Sequence, residues 1–369
     1  MKIMTLFGTR PEAIKMAPLV KAIERASDLQ SIVCVTAQHR EMLDQVLELF
    51  EIKPDYDLNI MKSGQSLSEI TSRVLLGVEE VLKKERPDIV LVHGDTSTTL
   101  SGALAAFYAQ IPVGHVEAGL RSFNIYSPYP EEMNRLLTTR IASIHFAATE
   151  GNVDNLIKEG INPQVVYKTG NTVIDALMEV IDENYIFQNE YLNNIDFENH
   201  KIIALTAHRR ENLGMPMENI FSAIRALIEA HEDLELVFPM HLNPAVRQVA
   251  RKHLDQHNRI HLIEPLSYED FANLEARAYL IMTDSGGIQE EAPALGKPVV
   301  VLRTETERPE AVDAGTVVVA GIEREDIYRE TEKLIVNSAH YKRMSEAMNP
   351  YGDGHACQRI IDALRNWKN

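Results

Sequence analysis

Short apolar runs with little polar alternation recur along the chain. The first series is KIMTLF (2–7), SIVCVT (31–36), DIVLVH (88–93), PVGHVE (112–117) and SIHFAA (143–148). A second follows at KIIALTA (201–207), LELVFP (234–239), RIHLIE (259–264), YLIMT (279–283) and KPVVVL (297–302). Stretches of helical periodicity separate the runs, such as EAIKMAPLVKAIERA (12–26) and MENIFSAIRALIEAH (217–231). Unbroken apolar runs spaced by helices predict parallel strands covered on both faces, and hence an α/β protein. Two series predict two doubly wound halves, with no repeat between them at the residue level. The seam falls near Lys168–Gly170, giving domains over 1–168 and 169–352. NPYGDG (349–354) breaks a helix and starts another that runs through Trp367, while Asn184–His200 reads as a variable connection. In such folds ligands bind beyond the carboxyl ends of the strands, which is where candidate chemistry is sought.

Composition narrows the class. The chain has 369 residues, 45% hydrophobic and 25% charged, enough apolar material for real cores and too much for a disordered chain. Its net charge of −17 repels nucleic acid and acidic lipid surfaces, so an anionic ligand needs a local cationic pocket. Only Cys34 and Cys357 occur, too few for a disulfide framework. The N-terminus lacks the apolar core of a signal peptide, and no run of about 18 apolar residues could span a membrane. The expectation is a cytoplasmic protein with neither membrane nor nucleic-acid partners.

Three segments could bind phosphate. Gly8-Thr9-Arg10-Pro11 follows the first strand, with Pro11 suited to a first helical turn and Arg10 and Lys15 adding charge near free N–H groups. Neither a dinucleotide-binding fingerprint nor a Walker loop is present, which removes the usual support for NAD or simple NTPase readings. Thr283-Asp284-Ser285-Gly286-Gly287 follows another strand, and its glycines permit close approach of a diphosphate to the backbone. Glu290 and Glu291 come soon after; a carboxylate is repelled by phosphate but accepts hydrogen bonds from ribose hydroxyls. His208, Arg209 and Arg210 follow KIIALTA as three side chains able to carry positive charge, an anion clamp in an acidic chain.

Acids gather elsewhere. His93-Gly94-Asp95 ends one strand, His115-Val116-Glu117 ends another, and Tyr129-Pro130-Glu131-Glu132 leads into a helix. Carboxylates at one strand-end edge suit acid/base work on two faces of a substrate carbon. A two-metal site is the rival reading of the His-x-Asp and His-x-Glu pairs. The cationic segments weigh against it, because a diphosphate held by Arg10, Lys15, His208 and backbone amides needs no metal bridge.

Taken in order, FGTRPEAIKMAPL, TAQHREMLDQ, HGDTSTT, GHVEAGLRS, YSPYPEEMNR, TAHRREN and TDSGGIQEEAPALGKPV resemble the non-hydrolysing UDP-N-acetylglucosamine 2-epimerases, with ERPE (307–310) and NPYGDG also typical. The resemblance runs essentially from end to end. It implies two Rossmann-like domains facing across a nucleotide-binding cleft, the fold of glycosyltransferase-B enzymes, with the last helix (353–369) returning to the first domain. It also implies a homodimer, no metal, no NAD and reversible conversion of UDP-GlcNAc to UDP-ManNAc for surface polysaccharide.

By the same resemblance, Asp95, Glu117, Glu131 and His208 are catalytic, His208 also touching the diphosphate. Arg10, Lys15, Arg135, Phe271, Ser285, Gly286, Gly287 and Glu291 bind substrate, with Phe271 on the base and Glu291 on the ribose. Gln38, His39, Arg209 and His241 belong to a possible second, regulatory nucleotide-sugar pocket. There the chain departs from the family, carrying Glu41 where a Gln is expected and Gly64 where an Arg is expected. Both changes disfavour a second diphosphate, so reduced substrate activation is expected. A hydrolysing epimerase, a glycosyltransferase of the same fold and a non-catalytic nucleotide-sugar sensor are the competing functions.

Overall fold

The computed structural model describes residues 1–37, 40–62 and 64–367. The chain divides into one unit of Met1–Glu179 with Tyr351–Asn369 and another of Val180–Pro350.

The first unit is built on strands β1 (Lys2–Phe7), β2 (Gln30–Val35), β3 (Tyr56–Asp57), β4 (Ile89–His93), β5 (Val113–Ala118), β6 (Ile144–Ala147) and β7 (Val166–Lys168). They form a parallel sheet in the order β3-β2-β1-β4-β5-β6-β7. The buried runs of β1 and β4 lie at its centre, as uninterrupted apolar strands must. Helices Leu67–Glu85 and Ser97–Tyr108 pack together over one face, closing a core that includes Met4, Leu6, Val74, Val78, Val90, Val92 and Ala103. Gly102 allows that close packing: a Cβ there would sit 2.0 Å from a methyl of Leu6.

The last helix, Ala356–Asn366, packs on helix Arg10–Arg25 and belongs to this unit. Arg365 grips Asp28 with two hydrogen bonds of 2.9 and 2.7 Å. The buried carboxylate of Asp175 accepts the backbone N–H groups of Ala356 and Cys357, two of the donors that a helix start leaves unpaired. This attachment places helix Thr172–Val180 almost wholly in the first unit, so the seam follows the helix rather than preceding it. Both cysteines are buried and unlinked, and burial pushes the Cys34 thiol up to about 12.

The second unit carries β8 (Lys201–Thr206), β9 (Leu234–Pro239), β10 (Ile260–Ile263), β11 (Leu280–Thr283), β12 (Val299–Val301) and β13 (Val317–Val319), parallel in the order β10-β9-β8-β11-β12-β13. Counted within each unit, the first six strands repeat one order, 3-2-1-4-5-6, the Rossmann arrangement. The connection 184–200 is firmly tied: Asp270 accepts hydrogen bonds from the Tyr185 hydroxyl and from the backbone of Gln188 and Asn189. Strands β3, β7 and β13, two or three residues each, escape the hydrophobic pattern because they are too short to show one. Among the described residues no helix is long and apolar enough to cross a membrane.

Candidate active site

In each sheet the strand order reverses between the first and fourth strands, and a crevice opens there at the carboxyl ends. In the first unit this brings Gly8-Thr9-Arg10 after β1 beside His93-Gly94-Asp95 after β4. The approach is tight, for a Cβ on Gly8 would lie 1.9 Å from Thr36 Oγ1 and 2.7 Å from Thr98 Oγ1. Glu12, itself buried, accepts the N–H of Thr9 at 2.8 Å and the hydroxyl of Thr96 at 2.6 Å, locking the turn to the next loop. Arg10, partly exposed at the start of helix Arg10–Arg25, makes no hydrogen bond or ion pair among the described residues. Its guanidinium is available to an anion.

Glu117 is the most constrained residue of this edge. The β5–β6 register shifts between Val116 and Ala118, and Glu117 has φ +62°, a left-handed conformation unusual outside glycine. A bulge at a strand end turns a side chain that would otherwise follow the alternation. The carboxylate meets the ammonium of Lys15 and lies 3.2 Å from His93 Nε2, with the Asn171 amide donating to it at 3.3 Å. Burial pushes this carboxyl up, but Lys15 and His93 outweigh burial and hold it well below the usual carboxylate range. Glu117 is therefore an anion at neutral pH. Behind it, burial drives His115 down to about 3 and His145 to about 4, so both are neutral; His115 donates its Nε2–H to the Gly94 carbonyl at 2.7 Å.

Asp95 is held from another direction. Arg135 lies 2.6 Å from its carboxylate and 3.0 Å from Glu132, while Asn134 donates to its backbone carbonyl at 2.8 Å. Glu132 is buried and accepts the N–H groups of Ser122 and Phe123, fastening the loop before its helix. Glu131 begins that helix, one turn before Arg135 and so on the same face, and its buried Oε2 has no hydrogen-bond partner among the described residues. Two expected substrate cations, Lys15 and Arg135, are thus paired with the two strand-end acids. Among the described residues no three of His, Cys, Asp and Glu converge so as to hold a metal ion.

In the second unit the crevice lies between the ends of β8 and β11. Asp284, fully buried, organises it by accepting the N–H groups of His208 and Arg209 at 2.9 and 2.8 Å and the Asn212 amide at 3.0 Å. His208 Nδ1 lies 3.3 Å from the same carboxylate, and its ring stacks on His241 at 5.6 Å. Burial lowers the His208 pKa, against the pull of Asp284. His208 is consequently a neutral imidazole at neutral pH, and the positive charge expected of the HRR segment falls to its arginines.

The TDSGG turn leads into a single α-helical turn, Ile288–Glu291, and then a 3₁₀ turn, Ala292–Leu295. So short a helix has little dipole, and local N–H groups with arginines must supply the positive potential. They are in place: a Cβ on Gly286 would lie 3.8 Å from Arg308 and 3.9 Å from Arg209. Arg308 also forms an ion pair with Glu290, which leaves Glu291, 3.3 Å from the Cβ position of Gly287, to face the turn. Phe271 is half-buried near the start of helix Tyr268–Arg277. Asp284, Arg308 and His93 have no assigned role in the sequence reading, although each lies inside or next to a motif singled out there. The signal for Asp284 was its place between a strand end and two glycines.

Gln38 and His39 lie outside the described residues. Of the remaining regulatory candidates, Arg209 donates through Nε to the Asp284 carbonyl at 3.2 Å, and His241 accepts the N–H of Asn243 at 3.1 Å. Arg40 is spent on Asp57 and Asp44, and Gly64, at φ +72°, has open space where a side chain would be.

Comparison with known proteins matches this arrangement. Residues 21–365 match the family model described as UDP-N-acetylglucosamine 2-epimerase. A Bacillus subtilis UDP-N-acetylglucosamine 2-epimerase is 56% identical over 364 residues, covering 99% of this chain and 95% of its own. An S. aureus structure solved with UDP is 56% identical with a TM-score of 0.85, covering 99% of this chain and 96% of that one. The Neisseria meningitidis UDP-GlcNAc 2-epimerase, solved with UDP-GlcNAc, is 50% identical with a TM-score of 0.88 and full coverage of both chains. With two Rossmann-like sheets of the glycosyltransferase-B type and these relatives over nearly its whole length, the chain belongs to the UDP-N-acetylglucosamine 2-epimerase family.

Proposed function

We propose that the protein interconverts UDP-GlcNAc and UDP-ManNAc by inverting C2 of the sugar, through elimination of UDP and its return. The observation that carries this reading is the Lys15–Glu117–His93 cluster, a carboxylate kept ionised beside two further acids. A sugar C2–H is too weakly acidic for direct removal by a carboxylate. Breakage of the C1–O bond, with its electron pair leaving on UDP, develops positive charge at C1 and acidifies the neighbouring proton. A carboxylate takes that proton, and the C2–H electrons form the C1=C2 bond of a 2-acetamidoglucal. Delivery of a proton to the opposite face of C2, with UDP re-adding at C1, completes the inversion.

In this reading Glu117, Asp95 and Glu131 exchange the protons, and the first unit's Arg10 meets the diphosphate. Ser285, Gly286, Gly287, His208 and Arg308 hold the diphosphate from the second unit, with Glu291 on the ribose and Phe271 on the base. Donors fixed where negative charge develops on the leaving group stabilise the transition state. Lys15 joins them when substrate draws its ammonium from Glu117. The reaction calls for no metal or nicotinamide, and its product would feed ManNAc-containing surface polysaccharide from the cytoplasm.

A homodimer fits one further feature of the first unit. Helices Leu67–Glu85 and Ser97–Tyr108 expose Leu76, Phe107 and Tyr108, each more than half accessible, beside a cavity of about 460 Å³ lined by Leu82, Tyr108 and Ile111. A second copy of the same face would cover this apolar patch.

Incubation with UDP-GlcNAc in D₂O, followed by proton NMR, tests the function. Deuterium at C2 of both sugars, with isotope scrambling of the bridging oxygen, is expected. Retention of C2 hydrogen through many interconversions would overturn the scheme, and free UDP rising in step with free ManNAc would establish the hydrolysing alternative.

A further inference from the structure

Helix Tyr268–Arg277 carries a fully buried acid that nothing above uses, Glu275. Both its carboxyl oxygens are shielded from solvent and accept no hydrogen bond among the described residues. The contrast with Asp270 on the same helix is sharp, since that residue takes three donors. An ionised carboxylate with no donors is costly in such a place. Burial and, after it, the negative charge of Glu291 drive the Glu275 carboxyl well above its ordinary range, so it carries a proton at neutral pH. A neutral carboxylic acid still has one O–H to place, and the charge that acts on Glu275 is that of Glu291.

The helix geometry agrees. Glu275 lies four residues after Phe271 and so on the same helix face, and the helix packs against the Ala292–Leu295 turn that continues directly from Glu291. We propose that Glu275 is a positioning residue, a neutral carboxylic acid that shares its proton with Glu291 and fixes one oxygen of that carboxylate, leaving the other to accept from the ribose hydroxyls. This rests on the reading of Glu291 as the ribose contact. The pair then behaves as a single monoanion, in which the buried member supplies orientation and the outer member recognition.

Three variants of the full chain separate the possibilities by calorimetric titration with UDP: Glu275→Gln, Glu275→Leu and Glu291→Gln. Glutamine keeps a neutral donor, so Glu275→Gln should hold UDP affinity within about twofold. Leucine removes the donor, and Glu275→Leu should weaken UDP about tenfold or more, the scale of one hydrogen bond to a charged group, while resistance to urea holds or rises. Unchanged affinity in Glu275→Leu, with Glu291→Gln weakened, overturns the positioning role alone. Unchanged affinity in Glu291→Gln overturns the ribose reading and this inference with it. Difference infrared spectroscopy at pH 7 gives a readout independent of folding effects in the leucine variant. A protonated-carboxyl band lost in Glu275→Gln is expected, and its absence from the unsubstituted protein would overturn the proposal.

Discussion

Lys15 and Glu117 stand 102 positions apart in the chain and form a half-buried ion pair, the lysine on the first helix and the glutamate on a bulged strand end. The pairing sets the protonation state of one catalytic candidate before any substrate arrives. It also ties a phosphate-side cation to the acid/base machinery, so that arrival of a diphosphate and release of the carboxylate become one event.

Removal of that ammonium should therefore show in the pH dependence. Lys15 and His93 depress the Glu117 pKa, so Lys15→Met lets it rise toward the value set by burial. The acid limb of kcat/KM should move to higher pH, and the shift should read directly in a rate profile across the acid range. Glu117→Gln should lower kcat by about 10²–10⁴ with UDP binding less affected, as expected for loss of a positioned acid or base.

Asp284 gathers three hydrogen-bond donors from the HRREN segment without being exposed itself. Asp284→Ala would leave buried donors unpaired, each costing about 1–3 kcal/mol. Urea denaturation should show a loss of several kcal/mol, and UDP affinity should fall with it because His208 and Arg209 lose their anchor.

Two neutral histidines make the first unit sensitive to acid. His115 and His145 have folded pKa values of about 3 and about 4 against an ordinary 6.5, both through burial. Below 6.5 the unfolded chain binds protons that the folded chain refuses. Their contribution to stability is full above 6.5 and is lost as the pH falls through 6.5 toward the folded values. Each costs ~1.4 kcal/mol per pH unit inside that window. His115→Gln should flatten the pH dependence of unfolding free energy by about that slope.

Substrate activation should be weak. Arg40 is held by Asp57 and Asp44, Gly64 offers no cation, and position 41 adds a negative charge. Rate against UDP-GlcNAc concentration should be hyperbolic, with a Hill coefficient near one. A sigmoidal curve abolished by Arg209→Ala would contradict this.

Much of the fold was readable because long buried strands and amphipathic helices leave long patterns. KIMTLF, LELVFP and the helix around Val173–Leu177 emerge where the periodicity places them. β3, β7 and β13 do not, since two or three residues cannot establish a period. In the candidate site, residue types were readable and their partners were not. Nothing in the sequence says that Lys15 meets Glu117, that Arg135 meets Asp95, or that His208 is neutral. These follow from distances created by folding, and from burial that composition does not report. Glu275 is the extreme case, since on its helix it reads as one more charged residue.

The first unit begins at Met1 yet takes its last helix from Ala356–Asn366. Ribosomes release chains in order, and domains fold as units while they emerge. The second unit is thus fully synthesised before the first can finish, and the oldest segment waits for the youngest. A message truncated shortly before its stop codon would yield a polypeptide with a complete second unit and an unsealed first one, its Arg10–Arg25 helix bare along the side that should be covered. Quality control of translation and completion of the catalytic half are in this way the same test.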